Sequence, residues 1–469
     1  MVTDPAFAEP DIVPTAPETV AIPVGLSDTD IRHIEDALRS GHEEGVIDAL
    51  GRLGPPDTAE LLEKLPEEHR TSLFENFAPA LVPEALAELN PELRRQAMAL
   101  MPPDQVADIL AALESDDALH VIEDFDPPFQ KEIIHHLSAK TRLTLEEGLT
   151  FPEESAGRLM SREFVAIPEF WVVGKTIDYL REAADELPTD FFDLFVITPA
   201  YRIAGEIRLG RLIRARRHEK LSDLTLDNIH QIPATMDQEE VAEIFRRENL
   251  TSAPVTDEES RLIGVITIDD VVDVIDEEAH EDFLRLAGVE QGDLYRAVLS
   301  TTASRFRWLF VNLLTAIAAS LVISLFDATI QQVVALAVLM PIVASMGGNA
   351  GTQALTVAVR ALATRQISRA NAFRIIGKET LVGFLNGAAF AIITGLTAGL
   401  WFSSPMIGTL IAVAMIINLI VAGFFGAGIP ILLQRMGSDP ALSSTVFLTT
   451  VTDVVGFFAF LGLAALFLV

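Results

Sequence analysis

The sequence of 469 residues contains no cysteine. Disulfide bonds, thiolate metal sites and thiol nucleophiles are therefore excluded. The first two dozen residues also lack the basic start and the apolar core of a signal peptide, and they hold five prolines among acidic and small residues. We therefore expect residues 1–25 to form a disordered tail.

Acidic residues are scarce in the last third of the chain and abundant before it. From residue 301 onward, four acidic and eight basic residues give a charge of +4, so residues 1–300 carry −37 of the total of −33. A region this acidic argues against nucleic acid or an anionic lipid surface as its partner and favours cations. Scattered Asp and Glu can also simply keep a domain soluble, and most of these residues fit that interpretation.

Proline recurs about every dozen residues between positions 26 and 150, with leucine-rich stretches in between. The recurring residues are Pro56, Pro66, Pro79, Pro91, Pro103 and Pro127. Proline suits the first turn of a helix and breaks its interior. The spacing therefore predicts an all-α domain of stacked short helices over residues 26–150. We find no catalytic constellation in it.

Residues 151–278 alternate apolar β-type runs with helical stretches. Two copies of a strand–helix unit occur about sixty residues apart, at 205–212 and 264–271, and each starts with a glycine that is followed two positions later by an isoleucine. This internal repeat resembles a tandem CBS (Bateman) module, which implies an α/β fold. Residues 279–305 are polar but helically periodic, so we expect one connecting helix there.

Five apolar segments after residue 305 are long enough to cross a bilayer. They predict a helical transmembrane domain over 306–469, with spans at 308–326, 333–363, 381–402, 407–433 and 441–469. Basic residues lie before the first span, between the second and third, and between the fourth and fifth. The other two loops carry none. The positive-inside rule therefore predicts a multi-pass protein of the plasma (inner) membrane, with its N-terminus cytoplasmic and its C-terminus outside.

Asp453 is the one carboxylate deep inside an apolar segment. A charge at bilayer depth costs roughly 2.5–3.5 kcal/mol even on the lenient insertion scale, and such residues usually face a pore, an ion or a partner. No Lys or Arg lies in a nearby apolar run to neutralise it. We therefore expect its partner to be a cation that passes through the membrane.

The second span is interrupted by a glycine-rich polar stretch at 345–353, which follows Pro341. Two interpretations are open. The glycines allow the helix to unwind and expose carbonyl groups to a cavity. Alternatively, small residues at four-residue spacing allow two helices to cross closely. The presence of Asp453 favours a pore.

Residues 341–353 and 449–456 resemble the signature segments of MgtE-type magnesium channels. Residues 154–160 resemble the sequence motif at the start of the CBS region in that family. The order of parts from residue 26 to the end also matches. The resemblance implies a homodimer with a central pore lined by the second and fifth spans, where Asp453 holds hydrated Mg²⁺. This is consistent with the reluctance of Mg²⁺ to shed water and its preference for oxygen ligands. Candidate oxygen donors in the second span are Gly347, Gly348, Asn349 and Thr352.

Acidic residues crowd the end of the second CBS repeat and the segment after it. Like charges at helical spacing destabilise a helix unless they are neutralised, although a solvated acidic face fits the sequence equally well. The resemblance implies a channel closed by cytoplasmic Mg²⁺. One position that is acidic in the family is Asn249 here, which weakens that site. The implied regulatory positions are Asp104, Asp108, Asp237, Glu239, Asp270, Asp273, Glu278, Glu281, Asp282 and Asp439.

Thr267 and Asp270 fit the Gly-x-x-Thr-x-x-Asp pattern with which CBS domains hold ribose, so ATP or a related adenine nucleotide is a candidate second ligand. The first repeat has Arg208 and Arg211 at those places, so it does not fit the pattern.

Two rival functions follow from the same residues. An intramembrane aspartyl hydrolase needs two carboxylates that share a proton, and no second intramembrane acid is present, so we expect no enzyme. The other rival is a CBS-regulated transporter of Mn²⁺ or Co²⁺. The spans lack His, Cys or Met clusters, which argues against a soft-metal site, yet oxygen ligands also suit Mn²⁺.

Overall fold

The structure is a computed structural model that describes residues 25–77, 81–189, 191–226, 229–289, 292–441 and 444–468. The tail predicted at 1–25 therefore lies, except for Gly25, outside the described residues. The chain divides into two compact units. The first comprises Met1–Val241 and Glu248–Thr267, and the second comprises Ala242–Arg247 and Ile268–Val469.

The first unit begins with ten short helices. Pro91, Pro103 and Pro127 each stand at the first position of a helix, where an N–H group has no partner inside the helix to lose. This confirms the predicted role of these prolines, whereas Pro79 lies outside the described residues. The helices are α1 (Asp28–Ser40), α2 (Glu43–Leu50), α3 (Pro55–Lys64), α4 (Glu67–Phe77), α5 (Pro83–Ala87), α6 (Pro91–Met98), α7 (Pro103–Ala112), α8 (Ser115–Glu123), α9 (Pro127–His136) and α10 (Ala139–Gly148).

The leucines between these prolines form the core of the helical region. Leu61, Leu62, Leu86, Leu89 and Leu110 are all buried. The main contacts join helices that are one to three places apart along the chain, as in α3 with α5 and α7 with α9. Burying a leucine side chain contributes roughly 1.5–3 kcal/mol, so this stacking stabilises helices that are too short to be stable alone.

One charged pair is buried in the same region. The Arg94 side chain is fully buried; its Nε lies 2.6 Å from Asp124 Oδ2, and its Nη1 donates to the Ala87 carbonyl at 2.6 Å. Burial raises the pKa of Asp124 despite the neighbouring guanidinium. Burial and the charge of Arg94 together lower the pKa of His120 to about 4, so this histidine is neutral at physiological pH.

Two small sheets of identical topology follow. The sheet orders are β1-β2-β3 and β4-β5-β6, and in each the first pair is parallel and the second antiparallel. Gly205 pairs with Val196 in the first sheet and Gly264 with Val255 in the second, which confirms the repeat read from the sequence. The elements are α11 (Ala156–Leu159), β1 (Ala166–Pro168), α12 (Val173–Glu182), β2 (Asp193–Ile197), β3 (Ile203–Arg208), α13 (Leu209–Arg214), β4 (Ile232–Pro233), α14 (Gln238–Glu248), β5 (Ser252–Thr256), β6 (Leu262–Thr267) and α15 (Ile268–Ala287).

Among the residues that the structure describes, the second unit holds five helices that are long and apolar enough to span a membrane, in agreement with the predicted number. Helices α18, α20 and α21 pack against one another, and α19 packs on α20. The helices are α16 (Val298–Ser324), α17 (Asp327–Gln332), α18 (Ala335–Ala363), α19 (Ala372–Trp401), α20 (Pro405–Arg435) and α21 (Ser444–Phe467), of which the short α17 is not a span.

Glycines allow α19 and α20 to approach closely. A Cβ atom at Gly395 would lie 3.0 Å from the Gly408 carbonyl oxygen, and one at Gly387 would lie 3.0 Å from the Ile416 Cα. Membrane helices lack a hydrophobic driving force between them, so contact of this kind is a main source of their association.

Two expectations about helix bounds are wrong. The segment 279–305 is not one helix, because α15 ends at Ala287 and α16 begins only at Val298. Gly288 has φ +69°, a conformation that ends a helix and that other residues adopt at a cost. The third span begins at Ala372 rather than at 381, so Lys378 and Glu379 lie within its helix.

Candidate functional site: a polar path between helices α18 and α21

The glycine-rich stretch 345–353 is part of an unbroken helix. Helix α18 continues from Ala335 to Ala363 through Pro341 and all three glycines. The unwound interpretation is therefore wrong, and the backbone carbonyls of Gly347 and Gly348 lie within a helix instead of facing an opened cavity. The close-crossing interpretation applies to two of the glycines. A Cβ atom at Gly347 would overlap the Asn418 side chain, and one at Gly351 would lie 2.9 Å from Leu448.

Asn418 joins three of the membrane helices at one level. It is fully buried on α20, and its Nδ2 donates to the Val343 carbonyl of α18 at 2.8 Å. A Cβ atom at Gly456 of α21 would lie 2.7 Å from the same nitrogen. Asn418 thus forms an interhelical hydrogen bond between α20 and α18. The Asn418 Oδ1 atom has no partner among the described residues.

One face of α18 carries polar side chains that no described residue covers. Asn349 and Thr352 are exposed, as are Ser345 and Thr356 one turn to either side. The two threonines donate to carbonyls of their own helix at 2.9 Å, and Asn349 Nδ2 lies 3.4 Å from Ser345 Oγ. This polar stripe runs along the middle of a helix that is long enough to cross a bilayer.

Asp453 lies at the same depth as this stripe. Gly347 and Gly456 both contact Asn418, and Gly351 contacts Leu448, so α18 and α21 are antiparallel, with Asp453 level with Asn349. Asp453 is half-buried and has no ion-pair partner among the described residues. The exposed Thr449 lies one turn away on the same helix. The structure therefore places Asp453, Asn349 and Thr352 at neighbouring levels along the helix axes. Gly347 instead packs against the Asn418 side chain.

The predicted regulatory acids of the first unit lie at exposed positions. Asp104 and Asp108 are exposed on α7. Asp237 Oδ1 accepts the Glu239 N–H at 2.9 Å, as an N-cap residue does at the start of α14. Within the described residues no three Asp, Glu or His side chains are arranged to hold a metal ion.

The acids of α15 are close enough to influence one another. Burial, and then the charges of Asp269 and Asp276, raise the pKa of Asp273. Burial, and then the charges of Asp439 and Glu278, raise the pKa of Asp282 to about 6. The structure thus brings three predicted positions of the second unit together: Glu278, Asp282 and Asp439.

Arg285 is the residue of this cluster that sequence reasoning missed. Its Nη1 lies 2.7 Å from Asp439 Oδ2, and its other terminal nitrogen pairs with Glu281, four residues earlier. The adjacent Leu286 carbonyl accepts the Thr445 hydroxyl at 3.1 Å. These bonds join the end of α15 to the connection between α20 and α21. The sequence does contain a signal for the pair with Glu281, since Arg285 is a single basic residue four positions after it in an otherwise acidic helix.

The candidate nucleotide residues stand at a strand–helix junction. Strand β6 ends at Thr267, and Asp270 lies in the first turn of the following helix α15. In the first repeat, β3 ends at Arg208, and Arg211 lies in α13. The two repeats thus share this local geometry but differ in charge at the two positions.

Three family models match separate parts of the chain. A divalent cation transporter model (MgtE) matches residues 340–463, an MgtE intracellular N domain model matches 53–154, and a CBS domain model matches 221–277. The cytosolic domain of the Mg²⁺ channel MgtE, crystallised with ATP, is 29% identical with a TM-score of 0.48, over 52% of this chain and 99% of that one.

Full-length relatives extend the similarity over nearly the whole chain. The magnesium transporter MgtE of Thermus thermophilus is 32% identical, and the match covers 93% of this chain and 98% of the relative. The magnesium transporter MgtE of Bacillus subtilis is 27% identical over 92% of this chain and 96% of the relative. With its helical domain, its CBS module and its five candidate spans, the chain belongs to the MgtE family of magnesium transporters.

Proposed function

We propose that the protein is a channel for Mg²⁺ and that Asp453 is the charged group of its path. The observation that carries this proposal is a half-buried carboxylate in a spanning helix, without a basic partner among the described residues and level with the exposed Asn349. An unpaired carboxylate at that depth is costly unless an ion or water compensates it. Because Mg²⁺ dehydrates reluctantly, a carboxylate with amide and hydroxyl oxygens suits its hydrated form, and selection then depends on the width of the cavity.

The polar stripe of α18 is the argument for a homodimer. Asn349, Thr352 and Asp453 would face hydrocarbon if this surface met lipid, and polar side chains in membranes normally face a bundle interior or a water-filled cavity. A second copy placed against the same face would enclose these residues in a shared central path. The aqueous path would then be lined by α18 and α21 of both copies.

The acidic residues are the proposed sensor of cytoplasmic Mg²⁺. When the ion is scarce, like charges drive the acidic surfaces apart, and when it is abundant, bound ions bridge them and close the path. Moving a two-state gate from 1:99 to 99:1 takes about 5.5 kcal/mol. A site at ten times its dissociation constant contributes roughly 1.4 kcal/mol, so about four sites suffice if they bind only the closed form. Shared sites of this kind are consistent with the lack of a complete metal cluster among the described residues of one chain.

The proposed orientation puts the N-terminus in the cytoplasm and the C-terminus outside the plasma membrane. Its support is the four basic residues between the predicted second and third spans, together with Arg435 after the fourth. ATP or a related adenine nucleotide is the proposed second ligand of the CBS module, held through Thr267 and Asp270 at the ribose. Transport of Mn²⁺ or Co²⁺ instead of Mg²⁺ is the alternative function. Competition of each unlabelled metal against Mg²⁺ uptake tests it.

The test of the path is Mg²⁺ uptake by vesicles that contain the purified protein and an Mg²⁺-sensitive dye. Asp453→Asn keeps the shape of the side chain and removes its charge. We expect its uptake rate to fall about 100-fold, the factor that corresponds to the roughly 2.5–3.5 kcal/mol an uncompensated carboxylate costs at bilayer depth. Asp327→Asn is the matched control, because Asp327 lies in the same unit at the start of α17, outside the spans. Undiminished flux and selectivity in Asp453→Asn would refute the proposed path.

The test of the sensor is limited proteolysis. Millimolar Mg²⁺ should slow cleavage of the part before residue 300, and neutralising Asp270 and Asp273 together should abolish that protection. Protection that persists in the double variant would place the sensor elsewhere. Glu169→Gln, an exposed substitution outside the acidic cluster, should protect as well as the wild type.

A further inference from the structure

A basic cavity lies at the ends of the membrane helices, away from the proposed ion path. It has a volume of about 330 Å³ and lies between the α18–α19 connection and the C-terminal end of α20. Asn371 shapes its wall, since the Oδ1 atom accepts the Ser368 N–H at 2.7 Å and the Nδ2 atom donates to the Gln366 carbonyl at 2.8 Å. The lining residues are Ile367, Ser368, Arg369, Ala372, Ile431, Gln434 and Arg435.

The charge of this cavity is not neutralised within the described part of the chain. Neither Arg369 nor Arg435 has a carboxylate partner there. The acidic residues nearest to them in the sequence have other basic partners, since Asp439 pairs with Arg285 at 2.7 Å and Glu379 lies 3.6 Å from the Lys378 ammonium group. The carbonyl groups at the C-terminal end of α20 carry partial negative charge and would repel an anion. Three of them, however, already accept hydrogen bonds from backbone N–H groups. The N–H groups of Met436, Gly437 and Ser438 bond to the carbonyls of residues 432, 434 and 433. The cavity therefore presents two guanidinium groups together with the polar side chains of Ser368 and Gln434.

The surroundings of the cavity are apolar. Ala372 and Ile431 are buried with Leu362 in one hydrophobic cluster, which forms the base of the cavity. Around it, Phe373, Leu432 and Met436 are strongly exposed, with Phe373 at 77% and Met436 at 70%. The Arg435 guanidinium lies over the Phe373 ring, 5.8 Å from its centre. A small soluble anion would use only the arginines, whereas an amphiphile would use both the arginines and this apolar rim.

We propose that this cavity binds the phosphate group of an anionic phospholipid. The phosphodiester would lie between Arg369 and Arg435, where planar guanidinium groups match phosphate oxygens, and the glycerol and acyl chains would lie along Phe373, Leu432 and Met436. Such a lipid would hold the α18–α19 connection against the end of α20, and would thereby stabilise the membrane unit.

The test uses the full-length protein in a neutral detergent and short-chain phosphatidylglycerol as the probe. The lipid is titrated while the thermal unfolding midpoint is followed, with phosphatidylcholine of the same chain length in parallel. We expect phosphatidylglycerol to raise the midpoint of the wild type. The concentration needed should increase roughly 25-fold in Arg369→Gln/Arg435→Gln, since each basic residue at an anionic lipid contributes about fivefold.

Matched controls separate a built site from general attraction. Arg365→Gln/Arg374→Gln removes the same charge from the connection and the first turn of α19, and neither residue lines the cavity, so this variant should respond like the wild type. An equal loss in this control would show diffuse attraction and overturn the proposed site. Inorganic phosphate that protects as well as phosphatidylglycerol would overturn the lipid as the ligand, as would equal protection by phosphatidylcholine.

Discussion

Arg94 in the first unit and Asp453 in the second are charges inside the fold that differ in whether they have a partner. In the first unit, buried Arg94 is paired with Asp124 at 2.6 Å, and the Arg158–Glu123 pair is largely buried too. In the second unit, Asp453 is half-buried on a spanning helix and has no such partner among the described residues. A paired buried charge contributes to a fixed structure, whereas an unpaired one needs a mobile counterion. The Arg94–Asp124 pair therefore holds the fold together, whereas the carboxylate of Asp453 is available to bind an ion.

The largest effect is expected at Arg94. Arg94→Met leaves the Asp124 carboxylate buried without its partner, so the free energy of unfolding of the first unit should fall by about 3–5 kcal/mol. Arg94→Met/Asp124→Leu should recover most of that loss, since a buried pair replaced by apolar groups is often neutral. Denaturant titration followed by Trp171 fluorescence, with Trp308 and Trp401 replaced by Phe, measures this unit alone. If Arg94→Met lowered the free energy of unfolding only slightly, the Arg94–Asp124 pair would not hold the fold together, and its contrast with the unpaired Asp453 would be wrong.

Glu206 provides a second way to test the contrast, because it is an acid of the first unit that lacks a close basic partner. Burial, and then the charge of Asp193, raise its pKa to about 7, while Arg208 acts weakly in the opposite direction. The folded state therefore binds the proton more tightly than the unfolded state. The stability from this group is present below about pH 4.5 and is lost as the pH rises through 7.

Glu206→Gln should accordingly match the wild type near pH 4.5 and exceed its free energy of unfolding by about 2–3 kcal/mol at pH 8. The same Trp171 titration, repeated across this pH range, measures the difference. Glu169→Gln, at an exposed position, should leave the pH dependence unchanged. A wild type whose stability does not fall between pH 5 and 8 would contradict the expectation.

A smaller effect is expected from two neighbouring glycines of the membrane unit. A Cβ atom at Gly347 would overlap Asn418, whereas nothing lies within 4 Å of a Cβ atom at Gly348. Gly347→Ala should therefore destabilise the membrane unit by about 1–3 kcal/mol through overpacking. Gly348→Ala should be neutral or stabilising by about 0.5–1 kcal/mol, since alanine favours the helix. Thermal unfolding in detergent compares the two variants, and equal behaviour would refute the crossing at Gly347.

The smallest effect concerns Arg285, whose guanidinium occupies Asp439 and Glu281. If these carboxylates also bind Mg²⁺, Arg285 competes with the ion. Arg285→Gln should then lower the Mg²⁺ concentration that protects against proteolysis by up to about fivefold, the equivalent of roughly 1 kcal/mol for a partly exposed pair. Arg217→Gln, which breaks the exposed pair with Asp178 instead, should leave that concentration unchanged. A higher Mg²⁺ requirement in Arg285→Gln would show that this ion pair supports closure.

Much of the architecture could be predicted because it follows from local patterns. Proline placement predicted the starts of α6, α7 and α9, and the repeated glycines at 205 and 264 predicted the two matching sheets. Hydropathy predicted five spans but missed the start of α19, because Lys378 and Glu379 lower hydropathy without breaking a helix. The break after α15 was missed because helical periodicity continues on both sides of Gly288.

The candidate site was predictable only in part. Asp453 could be identified from the sequence, because a single carboxylate within an apolar segment is a local signal that does not depend on contacts elsewhere. The role of Gly347 depends on Asn418, which lies 71 positions later, and no local pattern relates the two. Arg285 was missed for the same reason, because its contact with Asp439 spans 154 positions.

The break between α15 and α16 determines where a movement of α15 would be transmitted. Ten residues separate Ala287 from Val298, so α15 and the first span do not form one continuous helix, but Gly288 packs against Trp308 of α16 and Asp293 pairs with Arg305 of α16 at 2.9 Å. The end of α15 is also bonded directly to Asp439 and Thr445, and Thr445 lies eight residues before Asp453 on α21. A movement of the acidic helix would therefore act on two membrane helices at once, the first span and the helix that bears Asp453.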